Sequence, residues 1–215
     1  MNKILKKAFI YSKMSLLFMI LGAAVLYIAG KPLADYALSY MSMIINKGAP
    51  GYLNQGELIE AIAGDSETLD MDEILTPALN TQYGTIYCEQ IGLAAPLYYG
   101  DNNYSLQNGA GQYELSGLPG EGKPILVGGH DGTFFAPLED VGEGDIITVK
   151  TTYGKYEYQV SEIRIADKDD APAYDLTLDQ EQLILYTCYP FGQLIGEREQ
   201  RLFVYCDLQS DAAQN

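Results

Sequence analysis

The sequence predicts a mostly β domain, an antiparallel-rich barrel or sandwich, held behind an N-terminal membrane-spanning helix. Three observations carry this. From Thr81 onward, short runs of branched and aromatic residues alternate with Gly-, Pro- and Asn-containing turns. Eighteen tyrosines, 22 glycines and no tryptophan suit strands and tight turns. No strand–helix–strand rhythm is visible, so a parallel α/β sheet is not expected.

The first thirty residues are of a different composition. Lys3, Lys6, Lys7 and Lys13 precede or enter an apolar run from Met14 to Gly30, and the first acidic residue is Asp35. Counted from Ala8, with Lys13 reaching back to the headgroups, the segment 8–30 is long enough to cross a bilayer. The lysines assign residues 1–7 to the cytoplasm and the remainder to the outer face. A cleaved signal peptide is the alternative, but Lys31-Pro32-Leu33-Ala34-Asp35-Tyr36 offers no small-x-small cleavage site. Residues 31–80 lack sustained periodicity and read as a stalk, with a helical turn or two at 57–62. The β domain is expected over 81–209.

Candidate strands are Gly84–Ile91, Ala95–Tyr99, Ile125–Gly128, Asp145–Thr151, Lys155–Ile165, Leu183–Cys188 and Arg201–Leu208. The clearest hairpin joins the fourth to the fifth across Thr152-Tyr153-Gly154. Short helical pieces are expected at 137–141 and within 177–182.

Thirteen Lys and Arg against 29 Asp and Glu give a net charge of −16, which repels phosphate backbones and argues against nucleic acid as a partner. Cys88, Cys188 and Cys206 are an odd number for an extracytoplasmic domain. Either all are free thiols, or Cys88 and Cys206 pair and leave Cys188 alone. No Cys/His spacing suggests zinc and no glycine loop suggests a phosphate cradle.

The chemistry-bearing residues are few. His130 is the only histidine; Cys188 ends an apolar strand; Arg201 opens another thirteen residues later. A thiolate to attack a carbonyl, an imidazole to move a proton and a guanidinium to face developing negative charge suffice for cysteine-based acyl transfer. Taken singly, each residue has a plain structural role: a loop histidine, a buried thiol, an arginine paired with a carboxylate such as Glu199. Arg198 is the rival for the arginine's part, but it lies in the loop before the strand.

Three segments together resemble the sortase family. Gly128-Gly129-His130-Asp131-Gly132-Thr133-Phe134-Phe135-Ala136-Pro137-Leu138 resembles its histidine segment. Thr187-Cys188-Tyr189-Pro190-Phe191 resembles its cysteine segment, and Arg201-Leu202-Phe203-Val204-Tyr205 its arginine strand. The order agrees as well, and the likeness spans about 81–208. The residues following the histidine and the thiol are most similar to class D. Only 17 residues separate Ile165 from Leu183, too few for the long helical insertion of class B. Two departures stand out: Ile184-Leu185 stands where the cysteine motif usually begins with threonine-leucine, with Tyr186 before Thr187, and Asp131 follows the histidine where arginine or asparagine is frequent.

The resemblance implies a closed antiparallel or mixed β-barrel and a transpeptidase. Cys188 would form a thioacyl enzyme on an LPxTG-like sorting signal of a secreted protein and pass the acyl group to an amine of a cell-wall precursor. It implies His130, Cys188 and Arg201 as catalytic residues, with Thr187 and Tyr189 contacting substrate, and backbone N–H groups near Cys188 assisting. No cofactor is implied. Some relatives bind calcium near the loop that here carries Asp167-Lys168-Asp169-Asp170, but a solvated loop fits that run better, since the EF-hand pattern is missing. The same residues would serve an endopeptidase with water as acceptor, and a non-catalytic surface module is the third alternative. An L,D-transpeptidase keeps its histidine and cysteine close in sequence, whereas here they are 58 residues apart.

Overall fold

The computed structural model describes residues 3–46, 76–193 and 198–209. The chain divides into two compact units, Met1–Leu38 and Ser39–Asn215. The expected turn of helix at 57–62 lies outside the described residues.

Helix α1 runs Lys3–Asn46. Within it the 21 residues Tyr11–Lys31 are long and apolar enough to cross a membrane, with none of that stretch buried by protein. At 1.5 Å per residue they extend about 31 Å, matching a hydrocarbon core of about 30 Å. The helix does not stop at Gly30, where the sequence reading ended it. Leu33, Ala34, Ala37, Leu38, Met41 and Met43 favour helix strongly enough to carry it past Gly30 and Pro32, whose missing N–H interrupts the hydrogen-bond ladder at one place only.

The β domain is an eight-stranded closed barrel: β1 Gln82–Cys88, β2 Leu93–Tyr99, β3 Ala110–Gln112, β4 Ile125–Gly128, β5 Ile146–Thr151, β6 Lys155–Asp167, β7 Gln182–Tyr189 and β8 Gln200–Leu208. Around the barrel the order is β1-β2-β3-β4-β7-β8-β6-β5, closed by β1 against β5. Most neighbours are antiparallel, but β2–β3 and β4–β7 are parallel. Every expected strand is present, Ile125–Gly128 with the same ends and the others with one or both ends shifted. The one missed is β3, whose three residues Ala110-Gly111-Gln112 are too short to show a period of two.

A parallel pair needs a crossover. Between β2 and β3 this is the short helix α2, Asn103–Asn108, capped by Asn102, whose side chain accepts from the N–H groups of Tyr104 and Ser105. Residues 136–140 form a 3-10 turn close to the expected 137–141. No helix forms within 177–182. The Asp175 carboxylate instead accepts from the N–H and hydroxyl of Thr177, offering the backbone a turn in place of a helix. The 3-10 turn of this region lies at Ala171–Ala173.

Alternation along the strands separates two faces. Ile125 and Val127 of β4, Leu183 and Leu185 of β7, and Leu202, Val204 and Cys206 of β8 point into the barrel core. Each fully buried Leu, Ile or Val there contributes about 1.5–3 kcal/mol. Their neighbours Leu126, Ile184 and Phe203 form a second, outer cluster with Tyr186 and Tyr205 packed against it. That outer face is where the chemistry-bearing residues fall.

Candidate active site

The two parallel strands β4 and β7 run in step, with Gly128 opposite Tyr186. The pairing continues past the end of β4, because the N–H of Gly129 donates to the Tyr186 carbonyl at 3.2 Å. Two residues on from each lie His130, in the loop that follows β4, and Cys188, still within β7. On the other side of β7, Cys188 is the Cα partner of Arg201 in the antiparallel pair with β8. By the period of two, Cys188 shares its face with Ile184 and Tyr186, and Arg201 shares its face with Phe203 and Tyr205. Cys188 and Arg201 are thus paired across β7 and β8, while His130 lies in the loop leaving β4 on the other side of β7.

The sequence around the histidine explains how its loop is held. A Cβ at Gly128 would lie 2.6 Å from the Tyr186 ring, and one at Gly129 would lie 2.5 Å from the Phe135 ring. Only glycine lets the backbone pass these rings. The His130 carbonyl then accepts from the N–H of Thr133 at 3.2 Å and of Phe135 at 3.1 Å, which closes the loop on itself. Phe134, Phe135 and Leu138 are buried and anchor it in the core.

Thr187, expected from the sequence to contact substrate, has its side chain turned into the barrel. It is 1% exposed, and its hydroxyl donates to the Gly129 carbonyl at 2.7 Å. Being odd-numbered on β7, it faces inward with Leu183 and Leu185, one residue from the thiol but on the opposite face. Its effect on the site runs through the histidine loop. Tyr189 is half-buried at the strand end, edge-on to Phe191 with ring centroids 6.4 Å apart.

Cys188 is partly exposed, whereas Cys88 and Cys206 are fully buried, and all three are free thiols. Burial pushes the Cys206 thiol well up, with the Asp207 carboxylate adding to it. Burial likewise raises Cys88. Of the three, Cys188 is the thiol that solvent and substrate can reach.

Asp131 is 5% exposed and pairs with Arg198, Nη1 to Oδ2, at 2.5 Å. Its negative charge is therefore met by a guanidinium. Glu199, considered above as a partner for Arg201, pairs instead with Lys168 at 2.9 Å. Arg201 turns its Nη1 to the carbonyls of Arg198 and Gln200, at 2.9 and 2.8 Å. A guanidinium carries five N–H donors, so these two bonds leave capacity for a ligand.

Beside Arg201 the outer face opens into a cleft of about 300 Å³. Leu126, Tyr113, Tyr174, Tyr186 and Phe203 supply apolar walls, and Asp101, Lys168 and Arg201 the polar points. Phe203 stacks with Tyr174, Tyr186 and Tyr205 at centroid separations of 6.2–6.4 Å. The Tyr186 hydroxyl donates to Asp101 at 3.0 Å. Sequence reading missed Asp101, Tyr113 and Tyr174 here, because they come from loops whose return to the β4–β7 face no local pattern signals. Among the described residues no cluster of His, Cys, Asp or Glu is built to hold a metal ion. Asp170 of the acidic run pairs with Arg164 at 2.7 Å.

A closed barrel bearing a partly exposed thiol, paired across a strand with an arginine that lines an aromatic cleft, and a histidine loop on the neighbouring strand, has the make-up of a thiol acyl-transfer protein. The family model for sortase domains matches residues 86–209, and the chain belongs to the sortase family. Sortase D of Bacillus subtilis (strain 168) is 31% identical over 129 residues, covering 60% of this chain and 65% of that protein. The chain thus spans just under two thirds of that relative. Two solved structures are similar in fold. One is a Clostridium perfringens sortase D5 transpeptidase, with TM-score 0.56, 19% identity, 81% of this chain covered and 99% of that one. The other is Streptococcus agalactiae sortase C1, with TM-score 0.58, 21% identity, and 74% and 84% covered.

Proposed function

We propose that this chain is a membrane-anchored cysteine transpeptidase of the class D kind, cutting LPxTG-like sorting signals of secreted proteins. The observation that carries this is the pairing of partly exposed Cys188 with Arg201 across β7 and β8, with Arg201 lining the cleft and the His130 loop leaving the neighbouring strand β4. The Cys188 thiolate attacks the threonine carbonyl carbon, the C–N bond to the next residue breaks, and the departing amine takes its proton from the His130 imidazolium. An acceptor amine then attacks the thioester, gives a proton to the imidazole and releases the thiolate. Arg201 directs planar donors at the substrate carbonyls or the oxyanion, a task lysine performs poorly. The pairing of Arg198 with Asp131 favours Arg201 over Arg198 for this part. Tyr189 and the aromatic cleft receive the signal's apolar residues.

The acceptor is an amine of a cell-wall precursor. The reaction as proposed needs no metal or other cofactor; Asp170 of the acidic run and Glu199 are paired with Arg164 and Lys168. The lysines before the span hold the N-terminus in the cytoplasm and the barrel outside. The test is incubation of the full-length chain, in detergent, with a panel of LPxTx peptides and an amine acceptor. Amine-coupled product that disappears in Cys188→Ala supports the proposal. Hydrolysed product alone would make the chain an endopeptidase. No product from folded protein with a reactive thiol would overturn the enzyme reading.

A further inference from the structure

We propose that Asp131 and Arg198 form a latch that seats the Arg201 guanidinium beside Cys188, making both positioning residues for acyl transfer. The proposal presupposes the transpeptidase reaction above. A carboxylate 5% exposed is unfavourable unless paired, and Arg198 is the cation that meets it. The pair ties the residue after His130 to the chain segment just ahead of β8. These segments approach the thiol from opposite sides of β7.

Arg198 reaches Arg201 by its main chain. Its carbonyl is one of the two that accept from Arg201 Nη1. The residue that orients the guanidinium is thus itself fixed by its side chain to the histidine loop. Glu199 is held from the other side: its carboxylate meets Lys168, and its carbonyl accepts the Lys168 N–H at 2.6 Å. Arg201 is only the second residue of β8 and has a long side chain with large rotamer freedom. Its own strand fixes its Cα. The position of its head group depends on residues 198–200, and those depend on Asp131 and Lys168. The Lys168–Glu199 pair is more exposed, with side chains at 33% and 59%, against 5% for Asp131 and 23% for Arg198, so the buried pair dominates.

The test compares full-length wild type, Arg198→Ala, Arg198→Lys, Asp131→Asn and the double variant Asp131→Asn/Arg198→Gln. The readouts are kcat and KM for a cleaved peptide, thermal unfolding, and amide hydrogen exchange over 198–203. A latch predicts that Arg198→Ala and Asp131→Asn each lower kcat about 10- to 100-fold at temperatures where they are folded, with KM changed about threefold or less. Arg198→Lys recovers part of the loss, the double variant is no worse than the poorer single, and exchange over 198–203 quickens at least tenfold in Arg198→Ala. The double variant leaves no buried charge unpaired, so it tests the latch even where a single variant unfolds. A kcat within twofold of wild type in folded Arg198→Ala, or losses that multiply in the double variant, would overturn the latch. Should wild type itself give no product, the transpeptidase reading fails. Exchange over 198–203 then decides the latch alone: quickening in Arg198→Ala supports it, and no change overturns it.

Discussion

Thr187→Val isolates a single hydrogen bond that joins the thiol strand to the histidine loop. The two side chains are nearly the same shape, both are β-branched, and both suit a strand, so backbone propensity is unchanged. What is lost is the bond from the hydroxyl to the Gly129 carbonyl at 2.7 Å, at a position 1% exposed. A neutral hydrogen bond contributes about 0.5–1.5 kcal/mol net, and leaving a buried acceptor unmet costs about 1–3 kcal/mol. Valine places a methyl group against that part-buried carbonyl, so the destabilisation should be about 0.5–3 kcal/mol. With the Gly129 carbonyl released, His130 next to it shifts relative to Cys188, and a fraction of an ångström should lower kcat/KM about tenfold. Urea unfolding with peptide turnover measures both. Thr187→Ser, which keeps the hydroxyl but drops a methyl, should lose about 0.5–1.5 kcal/mol and retain most of the activity. Should valine be as stable as wild type within about 0.3 kcal/mol and as active within twofold, the hydroxyl bond is not what holds the histidine loop.

Arg201→Lys keeps the charge but loses the planar fork, and is expected to lower kcat/KM at least about 100-fold with little change in unfolding; near-wild-type turnover would show that charge alone suffices. In the folded protein at neutral pH, iodoacetamide should modify Cys188 alone, as mass spectrometry of the digested product would report, and modification of Cys88 or Cys206 before unfolding would contradict their burial. Burial raises Cys88, Cys206, Tyr83 and Tyr158 in the folded state, so above the unfolded values (thiol about 8.5, phenol about 10) the unfolded chain loses protons that the native one keeps. Stability should therefore be full below about pH 8.5 and fall as pH rises beyond it, by up to about 1.4 kcal/mol per pH unit for each such group; a urea midpoint that stays flat to pH 11 would refute this. Chelation with EDTA, or added calcium, should leave turnover unchanged within twofold; calcium-dependent turnover would point to a metal held by the loop carboxylates.

Much of the β domain was legible because its strands advertise themselves. The alternation of Tyr156, Tyr158 and Val160 with Glu157 and Gln159 foretells a half-buried strand, and β6 follows it, with Tyr156, Tyr158 and Val160 all buried. Ile125–Gly128 has the same ends in sequence and structure, since a run of apolar residues stops at a glycine pair. Three-residue β3 was not legible, because its pairing with β2 and β4 comes from neighbours in space. The helix beyond Gly30 was missed because the residues after it show no sustained apolar periodicity from which to read it.

For the site, residue type and local motif pointed to the thiol, the lone imidazole and the arginine at a strand start as candidates. Spacing along the chain also gave their order. What local sequence does not encode is which way a side chain faces once strands are paired. Thr187 and Cys188 are adjacent, yet one is sealed against Gly129 and the other opens outward, a difference set by the register of β7 between β4 and β8. Asp131 looked like a perturbation of the histidine until the chain brought Arg198 to it from 67 residues away. Chemical identity is a property of each residue and survives in any conformation. Facing, burial and ion pairing depend on distances between segments remote in the chain, and only barrel closure fixes those.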